Sequence, residues 1–84
     1  MEYEIGRVVF SKSGRDKGKF LAVVGKDRQY ILVADGKERP LERPKRKNRL
    51  HLSLTGSYLS EEALVTNRQL RRALRPFNIA LENA

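Results

Sequence analysis

Two runs of strand-forming residues, Val8-Val9-Phe10 and Phe20-Leu21-Ala22-Val23-Val24, stand on either side of Ser13-Gly14-Arg15-Asp16-Lys17-Gly18-Lys19. Glycine has no Cβ, so it enters φ > 0 and lets backbone approach another chain closely. Gly14 and Gly18 therefore predict a tight loop joining two strands. Arg15, Lys17 and Lys19 load that loop with the charge that a phosphate backbone attracts. The pattern points to a hairpin whose tip meets a polyanion, with RNA first in line.

Strand signals continue along the first part of the chain. Residues 3–11 read as a strand with Val8 and Phe10 on one face and Ile5 and Val9 on the other. Residues 20–25 are nearly all apolar, which predicts a strand buried on both faces. Gly25-Lys26-Asp27-Arg28 reads as a turn, and Tyr30-Ile31-Leu32-Val33-Ala34 is rich in types that strands favour. Asp35-Gly36 follows directly, a two-residue hairpin signal that predicts a fourth strand near Glu38–Leu41. Pro40 and Pro44 lack a backbone donor, so their stretch should be an edge strand or a loop. Leu50-His51-Leu52-Ser53-Leu54 alternates as a half-buried last strand. Five short strands with tight turns in residues 1–54 predict a mainly β fold, a small barrel or sandwich.

The pattern changes after Thr55-Gly56. Ser60-Glu61-Glu62-Ala63-Leu64 can form one helical turn capped by Ser60. Thr66 and Gln69 have the spacing of a capping box. Leu70, Ala73, Leu74 and Phe77 follow at helical spacing, with Arg68, Arg71, Arg72 and Arg75 on the opposite face. Pro76 should stop or kink this helix at Arg75. Residues 55–84 are thus expected to be a short helical extension of the same domain.

At 84 residues the chain suits one domain with a thin core, too small for a deep catalytic cavity. The formal net charge is +8, with a sequence pI of about 10.3. Residues 1–52 hold 14 Lys/Arg against 7 Asp/Glu, and residues 37–49 alone hold 7 against 2, a net of +5. A localised basic excess is the footprint of a nucleic-acid binder. Charge kept only for solubility would be more evenly mixed in sign. There is no Cys, hence no disulfide and no thiolate metal site. No apolar run approaches the ~20 residues of a membrane span. Met1-Glu2-Tyr3-Glu4 opens acidic, unlike a secretory signal, so a cytoplasmic location is expected.

Ile5 to Val24 resembles a KOW motif, the module of certain ribosomal proteins and of NusG-type elongation factors. The resemblance rests on Gly6-Arg7-Val8-Val9, Ser13-Gly14-Arg15-Asp16-Lys17-Gly18-Lys19 and Ala22-Val23-Val24. Ile31-Leu32-Val33-Ala34-Asp35-Gly36 is similar to the second hairpin of the archaeal and eukaryotic "fourteen-e" large-subunit ribosomal proteins. The chain also resembles short bacterial KOW proteins, with Arg43-Pro44-Lys45-Arg46-Lys47 and His51-Leu52 in matching places. Many KOW sequences carry a further glycine where this chain has Phe20 and Leu21, which favours the fourteen-e branch over the elongation factors. The resemblance implies an SH3-like small barrel that binds RNA, with large-subunit ribosomal RNA as the leading candidate and ribosomal proteins as further partners.

The expected RNA contacts form two surfaces. The first is the loop itself: Gly14, Arg15, Lys17, Gly18 and Lys19. The second is a proline-stiffened basic strip of Arg43, Lys45, Arg46, Lys47 and Arg49, extended by Lys37 and Arg39 and neighboured by His51. Neither surface comes with an amphipathic apolar face or a Trp, which argues against a membrane partner. The helical arginines are a weaker third surface, because cations late in a helix already suit its dipole. Tyr3, Tyr30 and Tyr58 could stack on bases, although Tyr30 is expected in the core. Asp16, Asp27 and Asp35 are expected as turn formers. A lone His without Cys builds no usual zinc site, and no paired group supports acid–base work. The expectation is a non-enzymatic protein without cofactor or small-molecule substrate. A protein-interaction module of the transcription or translation machinery is the alternative.

Overall fold

The computed structural model describes residues 3–82, with the side chains of residues 3–80. The elements run β1 (Arg7–Ser11), β2 (Phe20–Asp27), β3 (Tyr30–Ala34), β4 (Lys45–Asn48), β5 (Leu52–Tyr58) and α1 (Asn67–Glu82). Short 3-10 turns at Arg49–His51 and Glu61–Leu64 precede β5 and α1. The strands form one antiparallel sheet in the order β4-β3-β2-β1-β5.

Alternation along the strands splits the core in two. Val9, Leu21, Val23, Ile31, Val33 and Leu52 pack together on one face. Val8, Ala22 and Ala34 project from the other and are covered by Leu70 and Leu74 of α1. β2 is therefore buried on both faces, as its apolar run predicts. The sheet also curls. Lys47 on β4 reaches Ser11 on β1 at 2.7 Å although β3 and β2 separate those strands in the sheet. Only a concave inner face brings the two side chains together. The fold is mainly β and barrel-like, with the helix sharing its core.

Two strand bounds shift: Gly25, Lys26 and Asp27, expected as a turn, pair within β2, and the last strand starts at Leu52, after the 3-10 turn that takes Leu50 and His51, and runs to Tyr58. Four further expectations need correction. The first strand begins at Arg7; the residues before it turn at Gly6, where φ is +95° and Arg7 N–H donates to Glu4 O. No strand forms at Glu38–Leu41. The Asp35 carboxylate accepts from the N–H of Lys37 and of Arg39, and Asp35 and Gly36 N–H both donate to Arg39 O. These bonds fold 35–39 back on itself, and Leu41 N–H goes to Asn67 Oδ1. The backbone groups that a strand would pair are already spent. The fourth strand forms instead at Lys45–Asn48, inside the basic run expected as loop, against Tyr30–Val33 of β3.

The third correction concerns Ser60, which makes no side-chain cap bond; its segment is a single 3-10 turn. The fourth concerns Pro76, which does not end the helix. α1 continues for 16 residues, through Pro76. The packing of Leu74 and Phe77 on either side of the proline, and a bond from Phe20 N–H to Asn78 Oδ1 at 2.9 Å, hold the segment helical. Half of the capping box forms: Gln69 N–H donates to Thr66 Oγ1 at 3.1 Å, while the Gln69 side chain accepts from the Thr66 hydroxyl at 3.0 Å instead of from the Thr66 backbone N–H.

Candidate nucleic-acid interface

The 14–19 loop is two consecutive turns. Lys17 N–H donates to Gly14 O at 3.1 Å and Lys19 N–H to Asp16 O at 3.0 Å. Gly14 and Gly18 take φ of +80° and +86°, the left-handed region that only glycine enters cheaply. Ser11 closes the base of the loop, its N–H bonded to Lys19 O and its carbonyl to Gly18 N–H, both at 2.9 Å.

Between these turns Asp16 points inward and is only 2% exposed. Its carboxylate accepts from Arg39 Nε at 3.2 and 3.3 Å and lies 3.8 Å from Lys47 Nζ. Lys47 donates to Ser11 Oγ and to Ser13 O, each at 2.7 Å. Burial pushes the Lys47 ammonium below the usual lysine range, more than the nearby Asp16 charge raises it. No polar side-chain atom in the described residues is buried without a partner. This polar knot fastens the loop to β1 and β4. With Asp16 turned in, its neighbours Arg15 and Lys17 are both exposed.

The site residues expected from the sequence therefore divide. Arg15, Lys17, Lys37, Arg43, Lys45 and Arg49 are exposed, and none is in an ion pair among the described residues. Gly14, Gly18 and His51 are exposed as well. Lys19 is exposed but bonded to Glu38 at 3.0 Å; that bond raises the Lys19 pKa and lowers that of Glu38. Arg46 is exposed, 3.3 Å from Asp27, with its guanidinium 4.9 Å from the centre of the half-buried Tyr30 ring. Lys47 and Arg39 are the corrections. Both are spent on Asp16, and neither lies along an outward strip.

Two concave surfaces flank the loop. On one side Gly14, Arg15, Tyr30, Lys45, Arg46 and His51 line a trough beside β4. On the other side Lys17, Lys19, Lys37 and Arg71 line a trough against α1, with Glu38 and Asn78. Arg49 belongs elsewhere, with Tyr3, Lys26 and Arg28 beside the β2–β3 turn, and Arg43 lines neither trough. Helical spacing puts Arg71 on the basic face of α1, but only the folded chain shows that face beside the loop. Gly36 creates this juxtaposition. A Cβ on it would stand 2.3 Å from Asn67 O, so only glycine lets the 35–39 loop lie against the start of α1.

The acids have structural partners: Asp16 in the knot, Asp27 on Arg46, and Asp35 on backbone N–H groups. Among the described residues no group of three or more His, Cys, Asp or Glu could hold a metal ion, and no helix is long and apolar enough to cross a membrane. What the arrangement offers chemically is exposed cations in both troughs beside a glycine-bounded loop, a ridge whose backbone is tied down through Asp16. No protein-family model matches the chain, and no curated protein matches it.

Proposed function

We propose that this is a non-enzymatic RNA-binding protein with an SH3-like barrel of the KOW type, which docks on structured RNA, ribosomal RNA of the large subunit foremost. The observation that carries the reading is the ridge. Asp16 is buried on Arg39, while Arg15 and Lys17 stand outward with no ion pair among the described residues. The buried Asp16–Arg39 pair ties down the backbone of the loop, so Arg15 and Lys17 project from set positions and suit a ligand of fixed shape. Structured RNA offers phosphates at fixed spacing and is recognised largely through shape and backbone contacts. Lys45 and Arg46 extend the contact along β4, and a ribosome-associated role in the cytoplasm follows from the choice of RNA.

Native lysate fractionated on a sucrose gradient tests this reading. The protein should travel with the large ribosomal subunit and leave it in high salt. Migration only in light fractions under gentle conditions would contradict ribosome association. A complex that survives nuclease but yields to a competing acidic protein would favour a protein-interaction module instead.

A further inference from the structure

Arg68, Arg71, Arg72 and Arg75 stand exposed on α1, and none has an ion-pair partner among the described residues. With the helix expected to stop or kink at Arg75, they would be late in its first segment and favourable to its dipole. The helix instead runs Asn67–Glu82, so Arg68 is its second residue and all four fall in its first nine. In the first turn, where Arg68 stands, the positive end of the macrodipole repels a cation, and none of the other three reaches the last turn where a cation would suit it. No acidic residue occupies the first turn to offset them. Arg68 and Arg72, and Arg71 and Arg75, are also like-charge pairs at i,i+4, which destabilise a helix. The helix's own stability therefore does not account for this face, and an anionic ligand would neutralise it.

The face is continuous with the interface already described. Lys37 and Arg71 line the trough beside Lys17 and Lys19, and the same two residues line a neighbouring concavity with Arg68, Arg72 and Arg75. On the far side of the loop lies the separate trough of Arg15, Lys45 and Arg46. One phosphate strand can follow one side of the ridge. Two strands, one in each trough, would neutralise both.

We propose that the arginine face of α1, joined through Lys37 to the 14–19 loop, is a second phosphate-binding surface, and that the ligand is a double-helical segment of RNA whose two strands straddle the loop. The inference rests on the RNA-binding reading and names the form of RNA. Backbone contacts on both strands suit A-form RNA, which proteins recognise by shape and phosphates more than by base edges.

The test uses the full chain with a short RNA hairpin that has a duplex stem, and with poly(U) as the single-stranded comparison. Wild type should prefer the hairpin. Arg68→Gln with Arg72→Gln should weaken hairpin binding about tenfold and make the log K against log salt slope shallower by about 1.5, as for two lost phosphate contacts. The thermal midpoint of the free variant should equal or exceed that of wild type, since a like-charge pair and a first-turn cation are removed. Unchanged affinity and slope, a lowered midpoint, or equal binding of poly(U) would each overturn the proposal. Lys17→Gln with Lys45→Gln separates the two levels. If this variant binds more weakly while the arginine variant binds as wild type does, only the helix surface fails. If wild type binds neither RNA, the RNA-binding reading fails with it.

Discussion

Asp16 and Arg39 lie 23 positions apart in the chain and meet through two contacts, Arg39 Nε to Asp16 Oδ1 at 3.2 Å and to Oδ2 at 3.3 Å. One partner sits in the loop after β1 and the other in the segment between β3 and β4. Their ion pair, with Lys47 3.8 Å from the same carboxylate, decides which cations the protein keeps for itself and which it presents.

Asp16→Asn leaves Arg39 and Lys47 half-buried or buried without a counter-charge. Breaking one side of a buried ion pair costs about 3 kcal/mol. Urea unfolding should show a loss of that size, with RNA affinity falling although no exposed cation has been removed. Wild-type stability would show that the knot is ornamental to the fold.

Lys45→Glu with Arg46→Glu should leave the fold intact, because the exposed Arg46–Asp27 pair is worth at most about 1 kcal/mol. Lys47→Glu should not. It sets a second carboxylate beside Asp16 in a site where the lysine side chain is only 6% exposed. Circular dichroism at increasing urea separates the two. Reversing all three cations at once would confound binding with folding, which the chain's run of charge at 45–47 conceals.

That concealment shows what the sequence could and could not reveal. β1, β2 and β3 were legible as elements because apolar runs are local signals, but the start of β1 and the β2–β3 turn were not, since Gly25 to Asp27 pair with β3. The Thr66 cap on Gln69 N–H was legible too, because its partners are three residues apart. The burial of Asp16 was not, because its partners come from 23 and 31 positions away and nothing local marks an aspartate for the interior. The fourth strand was misplaced for a related reason. Asp35-Gly36 carries a hairpin signal, but the Asp35 side chain captures the backbone of residues 37 and 39, and Asn67 captures Leu41. In the site, the loop cations were legible, whereas the meeting of Lys37 with Arg71 depends on how α1 seats against Gly36.

Gly36 and Gly18 have similar angles, φ +82° and +86°, but different surroundings. A Cβ on Gly18 meets nothing within 4 Å, while one on Gly36 runs into the backbone of Asn67 and Arg71. Gly18→Ala should cost about 1 kcal/mol, the strain of a left-handed residue alone. Gly36→Ala should cost clearly more and loosen α1 from the sheet. Thermal melts give the order, and equal losses would deny the close approach.

The depressed Lys47 pKa has a definite sign in stability. Between its folded value and the ordinary 10.5 the unfolded chain binds more protons at this site than the folded one does. Stability from this group therefore rises with pH across that window and is smallest below it. Lys47→Met has no such group. Wild type should gain on the variant as pH climbs toward 10.5, read as the difference between their urea midpoints. A difference that shrinks over the same range would contradict the burial argument.

The affinity of the full chain for purified ribosomal RNA, followed against salt, tests the central claim most directly. Neutralising about five phosphates predicts a slope of about −4 in log K against log salt. A slope near zero, or no binding at low salt, would contradict recognition of RNA through the ridge and its flanking cations.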